Sequence, residues 1–375
     1  MPTYGGGMEI FMQNLDELRQ TINEVDEEMA KLFTLRMETV KKIAEYKMEK
    51  GKPIFDAKRE EEVIKRNSEK IENKELVPFY RTFLENNMAV SRDYQKLIIS
   101  GMRIAYSGVE GAFAHIAAKN IFPDSEYVSY PNFKAAYKAV EKGECNCAVL
   151  PVENSNSGEV GQVSDLVFSG SLNINAMYNL EIMQNLVGVK GTTKDSIKEV
   201  ISHPQALSQC EAFLKERGYK TSEYENTALA AKKVKELNDV TIAAVASKET
   251  ANLYGLEIIE NKINEDNTNT TRFAVLSPSE NKAAGDENYF DIMFTVKHEA
   301  GALAKAIDII GRYGFNMTKL RSRALKELAW QYYFQIEAEG DIFSMEGKIM
   351  LSQLEKFCDR LKVAGVYPKI KNLNV

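Results

Sequence analysis

Residues 15–50 read LDELRQTINEVDEEMAKLFTLRMETVKKIAEYKMEK. Apolar side chains recur there at three- and four-residue steps: Leu15, Leu18, Ile22, Val25, Met29 and Leu32. That spacing is a coiled-coil-like seam. The seam continues onto Arg36, then Thr39 and Ile43. No breaker intervenes before Gly51, so the spacing predicts one helix of about 35 residues, roughly 50 Å long. A lone helix of that length cannot hide its apolar side, which predicts a homo-oligomer, at least a dimer. Arg36 occupies a position that the pattern reserves for an apolar side chain. A buried guanidinium needs an anionic partner. Lys47 follows eleven residues later on the same face. Arg19 precedes Arg36 by seventeen residues and points roughly 100° away, so a partner helix is better placed to bring it to the same site. After Pro53, Asp56, Arg59 and Glu60 share a helix face, as do Ser91 and Gln95 further on. Spacing alone favours a solvated, salt-bridged surface helix.

The ordered set Arg19, Arg36, Lys47, Asp56, Arg59-Glu60 and Ser91-x-x-x-Gln95 resembles the all-helical chorismate mutase family. The resemblance implies a swapped helical dimer whose first arginine crosses into the partner's site. It implies the pericyclic rearrangement of chorismate to prephenate, which needs no nucleophile, metal or redox cofactor. On that pattern Arg19, Arg36 and Arg59 grip carboxylates, and Lys47 and Gln95 donate to the ether oxygen. Glu60 takes the ring hydroxyl, and Asp56 and Ser91 are lesser contacts. Arginine matches a carboxylate fork, and lysine supplies a point charge.

From Gly101 to Pro278 short apolar runs alternate with amphipathic stretches. Met102–Tyr106, Cys147–Val152, Leu186–Val189, Glu199–Ser202, Ile242–Ala246 and Phe273–Leu276 read as strands of an α/β segment. Polar strings stand at their ends: Gly108–His115, Leu150–Gly158, Ser202–Cys210 and Asn267–Phe273. Open α/β sheets bind ligands at such strand ends. Hydrogen-bonded turns and helix caps would explain each string singly. Pro151-Val-Glu-Asn-Ser155, Ser202-His-Pro-Gln205 with Gln209, Glu225-Asn-Thr227 and Thr271-Arg272-Phe273 resemble prephenate dehydratase. That family's two α/β lobes flank a cleft, in the manner of periplasmic binding proteins. The implied reaction removes hydroxide and CO₂ from prephenate to give phenylpyruvate. By resemblance Thr271 protonates the leaving hydroxyl with Arg272 beside it, and Asn154, Ser155, Ser202 and Gln209 position the substrate. Ala112 and Ala114 stand where many relatives carry Thr and Ser, which removes any hydroxyl contact from that loop. His203 reads as structural.

A polar linker, Ser277–Lys282 with Gly285-Asp286, precedes a small unit with the pattern βαββαβ. Its strands are expected at Asp291–Lys297, Phe315–Lys326, Glu327–Glu339 and Tyr367–Ile370, and its helices at Gly301–Tyr313 and Met345–Leu361. Gly301-Ala-Leu-Ala and Gly314-Phe-Asn-Met-Thr-Lys resemble an ACT domain, an α+β amino-acid sensor. The resemblance implies a phenylalanine site between paired C-terminal domains, formed by Gly301, Ala302, Leu303, Ser322 and Arg323. Relatives carry Glu-Ser-Arg-Pro where this chain has Arg321-Ser322-Arg323-Ala324, so an altered phenylalanine response is expected. Trp330, the single tryptophan, reads as a packing residue in the hairpin.

The chain has 375 residues. One core rarely grows past about 250–300 residues, so we expect a multidomain chain divided at 9–100, 101–278 and 288–375. Basic and acidic residues number 48 and 54, a net of −6, which disfavours a general nucleic-acid binder. No apolar run approaches the roughly 18 residues of a membrane span, and no secretory signal is expected. Cys145, Cys147, Cys210 and Cys358, with His115, His203 and His298, show no zinc spacing. A cytoplasmic protein without metal or cofactor is the expectation. The first resemblance yields the substrate of the second. As a whole the chain resembles the bifunctional chorismate mutase–prephenate dehydratases of phenylalanine biosynthesis, with phenylalanine as effector. Two rival readings are an amino-acid-sensing solute-binding protein and an enzyme retaining one of the two activities.

Overall fold

The computed structural model describes residues 15–49, 55–265, 268–282, 288–325 and 331–373. Trp330, residues 283–287 of the linker and residues 9–14 of the first expected domain lie outside them. The chain divides into two compact units at Gly101 and Met102.

The first unit is helical: α1 (Leu15–Glu49), α2 (Ala57–Ser68) and α3 (Val77–Ser100). Helix α1 has the length that its uninterrupted seam requires. Val40 and Ala44 of α1 and Met88 of α3 are buried. The seam itself is uncovered within one chain, with Leu15 at 59% and Leu32 at 65% exposure. Asp56 caps α2, its carboxylate accepting from the Arg59 amide at 3.0 Å.

The second unit opens with β1 (Arg103–Ser107), α4 (Phe113–Ile121), β2 (Glu126–Tyr130), α5 (Phe133–Glu141), β3 (Cys147–Asn154), β4 (Gly158–Glu159), α6 (Gly161–Ser169) and β5 (Asn173–Glu181). The chain then crosses to a second lobe. This contains β6 (Asn185–Gly188), β7 (Glu199–Ser202), α7 (Pro204–Gln209), α8 (Glu211–Glu216), β8 (Lys220–Glu223), α9 (Thr227–Leu237), β9 (Ile242–Ala246), α10 (Lys248–Tyr254) and β10 (Glu257–Glu260). It returns as β11 (Thr270–Ser277), which lies between β5 and β3 in the first lobe. The second lobe's sheet runs β10-β6-β9-β7-β8. The two crossings are tied together: the Ile263 amide donates to the Gln184 carbonyl at 2.9 Å, and the Gln184 amide to Asn264 Oδ1 at 3.0 Å. At the facing edges Thr250 Oγ1 donates to the Gly111 carbonyl at 2.7 Å. Gly111 sits at φ +88°, where a side chain would also press on Leu253 and Thr250.

The C-terminal part comprises β12 (Asn288–Thr295), α11 (Ala302–Arg312), β13 (Asn316–Ala324), β14 (Tyr332–Glu339), α12 (Met345–Phe357), β15 (Arg360–Pro368) and β16 (Lys371–Leu373). The βαββαβ order is the expected one, but the last long strand begins at Arg360 rather than Tyr367. Arg360–Pro368 instead pairs with β12, with a register shift at Asp291 and Ile292, so α12 stops at Phe357. The sheet continues into the first lobe in the order β13-β14-β12-β15-β5-β11-β3-β1-β2. Strand β15 meets β5 at Gly365 and Ile174. A side chain at Gly365 would strike the Ile174 carbonyl, so the close approach requires glycine. Met293, Tyr333, Ala364 and Tyr367 share one apolar core with Leu150, Val167, Phe168 and Leu172 of the first lobe. The Tyr333 ring stacks on Phe168 at 4.3 Å. The C-terminal part is therefore packed onto the first lobe.

Candidate active sites

In the helical unit α1 and α3 bring Arg36 to Ser91. The Arg36 guanidinium donates to the Ser91 hydroxyl and, at 3.3 Å, to the Asn87 carbonyl. Both acceptors are neutral, and burial lowers the Arg36 pKa. The anion that a half-buried guanidinium calls for is not supplied by a carboxylate among the described residues. One turn beyond Ser91, Gln95 is buried and donates weakly to the Ser91 carbonyl at 3.4 Å. Its Oε1 has no hydrogen-bond partner. Lys47 is half-buried near the end of α1.

Glu60 lies on α2 and is gripped by Arg92 of α3 through both carboxylate oxygens, at 2.5 and 2.6 Å. The sequence reading missed Arg92, although it directly follows Ser91. Its guanidinium also lies over the Phe55 ring at 5.5 Å. Arg59 is exposed and lies 3.5 Å from Glu62. Arg19 is 68% exposed beside Asp16 at 3.4 Å. One chain therefore assembles Arg36, Ser91 and Gln95 and leaves Arg19 outside, as its angular offset requires.

In the second unit a polar cluster forms where β3 ends and β11 begins, next to the crossing between lobes. Asn154 is its hub. Its Oδ1 accepts from the amides of Asn156 (3.1 Å) and Ser157 (3.0 Å) and from the Ser157 hydroxyl (3.1 Å). Two backbone donors fix the orientation of the amide, so the Nδ2 must face the other way. It donates to Thr271 Oγ1 at 2.9 Å and to Asn269 Oδ1 at 2.8 Å. Thr271 therefore accepts from Asn154 and keeps its own hydroxyl proton for another acceptor. Asn269, which the sequence reading quoted but did not single out, is 1% exposed, and its Nδ2 has no hydrogen-bond partner. Ser155 holds the same corner, accepting from the Thr270 amide at 3.0 Å and donating to the Thr268 carbonyl at 3.1 Å.

Three expected contacts need correction. Arg272 does not flank Thr271 in space. Successive strand residues point to opposite faces, and Arg272 turns to Glu337 at 3.4 Å and Glu153 at 3.8 Å. Ser202 is fully buried and donates to the Val245 carbonyl at 2.7 Å, so its hydroxyl holds two strands together. Within one chain Arg323 does not join the Gly301 loop. It pairs with Asp165 of α6 at 3.0 Å, while Ser322 is exposed on the edge strand β13. The Gly301 loop borders a separate cavity of about 280 Å³, lined by Glu299, Ala302, Leu303, Tyr332, Phe334 and Asp359 among others. Gln209 ends α7, and its carbonyl accepts from the Glu265 amide at 2.9 Å beside the lobe crossing. His203 caps α7, its Nδ1 accepting from the Gln205 amide at 3.2 Å. Asn226, within the Glu225-Asn-Thr227 string, caps α9. His115 is buried and accepts from the Gly111 amide at 3.1 Å, and burial lowers its pKa.

Two family models match the chain: chorismate mutase type II over residues 18–96 and prephenate dehydratase over residues 104–281. A bifunctional chorismate mutase/prephenate dehydratase of Aquifex aeolicus is 30% identical over 369 residues, covering 96% of this chain and 99% of that protein. Among solved structures, a quorum-quenching acylase is 29% identical with a TM-score of 0.66, covering 71% of this chain and 97% of its own. A prephenate dehydratase from Arthrobacter aurescens in complex with L-Phe has the same fold, with a TM-score of 0.66 at 24% identity over 72% of this chain and 90% of its own.

Proposed function

As the chain belongs to the family of bifunctional chorismate mutase/prephenate dehydratases, we propose that its two units run consecutive steps, with Arg36 and Thr271 at their centres. The helical unit converts chorismate to prephenate, and the two-lobed unit converts prephenate to phenylpyruvate. The first step is an internal bond exchange, so the protein's part is to hold a dicarboxylate compact and stabilise charge on the breaking ether. A half-buried Arg36 bonded only to neutral oxygens is suited to a substrate carboxylate. Gln95 and Lys47 donate to the ether oxygen, Glu60 takes the ring hydroxyl, and Asp56, Arg59 and Ser91 support the site. The exposed seam of α1 covers itself against a second copy, whose Arg19 completes the site.

In the second step the ring becomes aromatic as CO₂ and hydroxide depart. The leaving hydroxyl needs a proton. The single observation that carries the assignment is the Asn154 Nδ2 to Thr271 Oγ1 bond: it occupies a lone pair and directs the threonine proton outward. A hydroxyl is a weak acid, and donation into its oxygen makes it a stronger one. Ser155 and Gln209 frame the substrate from the two lobes.

The C-terminal part acts as an ACT domain. Its cavity at Ala302 and Leu303 offers apolar walls for an aromatic ring and the acids Glu299 and Asp359 for an ammonium group, which suits phenylalanine. Arg321 and Arg323 are engaged with the first lobe, so phenylalanine binds there with a weakened inhibitory response. No helix among the described residues is long and apolar enough to cross a membrane. The test is to supply chorismate and follow products. The full enzyme yields phenylpyruvate, a mutase alone stops at prephenate, and a binding protein yields neither.

A further inference from the structure

Strand β13 presents Lys319, Arg321 and Arg323 at alternate positions. Their side chains are 12%, 23% and 27% exposed and face the first lobe. Opposite them stand Glu153, Glu159 and Asp165. Glu153 is the hub. It bonds Lys319 at 3.0 Å, is gripped by Arg321, and has Arg272 at 3.8 Å. Glu153, Lys319 and Arg272 border a cavity of about 550 Å³ that also touches Ser155, Thr270 and Glu337. Burial works to raise the Glu153 pKa, and Lys319, Arg321 and Arg272 outweigh it, leaving the carboxylate below its ordinary value and charged. Glutamate at position 321, as in the pattern of relatives, would face Glu153 and Glu159 with like charge.

The location of the hub gives it a role. On the paired strands Arg272 lies opposite Glu153, and the next rung joins Thr271 to Asn154. The register shifts immediately after Arg272, so these two rungs stand between a bulge and the lobe crossing. Their alignment is not inherited from a long regular ladder. One face of this strand pair carries the ionic cluster, and the other carries Asn154 and Thr271.

We propose that Glu153 is a positioning residue for the dehydratase step: the cationic face of β13 grips its carboxylate, holds the end of β3 in register with β11, and so keeps Asn154 against the Thr271 hydroxyl. Any movement of the C-terminal part that slackens Arg321 or Lys319 loosens the same rung. This rests on the reading of Thr271 as the acid.

The test uses the full chain with prephenate as substrate and compares Glu153→Gln, Arg321→Ala, the double variant and Arg321→Lys. Arg360→Ala is the control. Arg360 docks the same two parts by donating to the Phe168 carbonyl at 2.7 Å and covering that ring, with no charge at Glu153. Glu153→Gln and Arg321→Ala should each lower kcat roughly tenfold while KM stays within about twofold, and the double variant should be no worse than the poorer single. Arg321→Lys should recover most of kcat, and Arg360→Ala should keep it. Multiplying losses in the double variant, an equal loss in Arg360→Ala, or unchanged kcat in both singles would overturn the proposal. If Glu153→Gln unfolds by circular dichroism, the comparison of Arg321→Ala with Arg321→Lys decides alone, because Arg321 lies outside the catalytic lobe. Failure of the acid assignment shows separately, as retained activity in Thr271→Ala.

Discussion

Changing Asn154 to aspartate isolates the hydrogen bond on which the second reaction depends. Aspartate keeps an oxygen for the amides of Asn156 and Ser157, so the loop after β3 retains its anchor. The second oxygen replaces a donor 2.9 Å from Thr271 Oγ1 with an anionic acceptor. The threonine's one proton then turns toward the introduced carboxylate and away from the substrate. Asn269 can rotate and offer its unpartnered Nδ2 to the new oxygen, which limits the structural damage. A misdirected general acid forfeits roughly 10²–10⁴-fold in rate. Losing one neutral hydrogen bond would cost only about 0.5–1.5 kcal/mol, or roughly two- to thirteenfold. The assay is steady-state turnover of prephenate, with circular dichroism to verify the fold. The account predicts a kcat loss of at least about 100-fold and a modest change in KM. A folded Asn154→Asp enzyme retaining more than about a tenth of its kcat would refute the orientation argument.

Other outcomes follow from the same geometry. Arg36→Ala should lower chorismate turnover by roughly 30-fold to several thousand-fold, the range for a lost charge-assisted contact to a carboxylate, and leave turnover of added prephenate intact; equal loss in both assays would contradict separate sites. Mixing Arg19→Ala with Arg36→Ala chains should restore mutase activity, because one site in a mixed dimer receives both good halves; no recovery after verified subunit exchange would rule out the shared site. Asp291 is fully buried, and burial pushes its carboxyl up to about 7. Between the ordinary aspartate value near 4 and about 7 the native state holds a proton that the unfolded chain has lost. This stabilisation is complete below that lower limit and is lost as pH rises through about 7. Thermal midpoints of the second unit should therefore fall between pH 5 and 8, and Asp291→Asn should flatten the fall; parallel slopes would contradict the assignment.

The helical unit was the most legible part because its information is local. The seam from Leu15 to Leu32 and the absence of a breaker define α1 to its ends. Strands β7 and β9 were readable as short apolar runs for the same reason. Strand β5 was not. Its sequence, Asn173-Ile-Asn-Ala-Met-Tyr-Asn-Leu-Glu181, buries only every third side chain, and its neighbours β11, β15 and β16 come from distant sequence. At the sites, residue types were legible and directions were not. Thr271 and Arg272 are adjacent in the chain, yet the pleat sends them to opposite faces. Ser202 carried the signature of a strand-end ligand group, but the Val245 carbonyl takes its proton. Arg92 was hidden because its partner Glu60 lies 32 residues away on another helix. The reversed charge at Arg321 read as an altered phenylalanine response. Its acidic partners Glu153 and Glu159 lie more than 160 residues earlier in the chain.

The most direct test of two sites in series is the product formed from chorismate by Thr271→Ala at neutral pH. The account predicts that chorismate disappears at the unsubstituted rate while prephenate accumulates and phenylpyruvate does not. Phenylpyruvate appearing at the unsubstituted rate would contradict it.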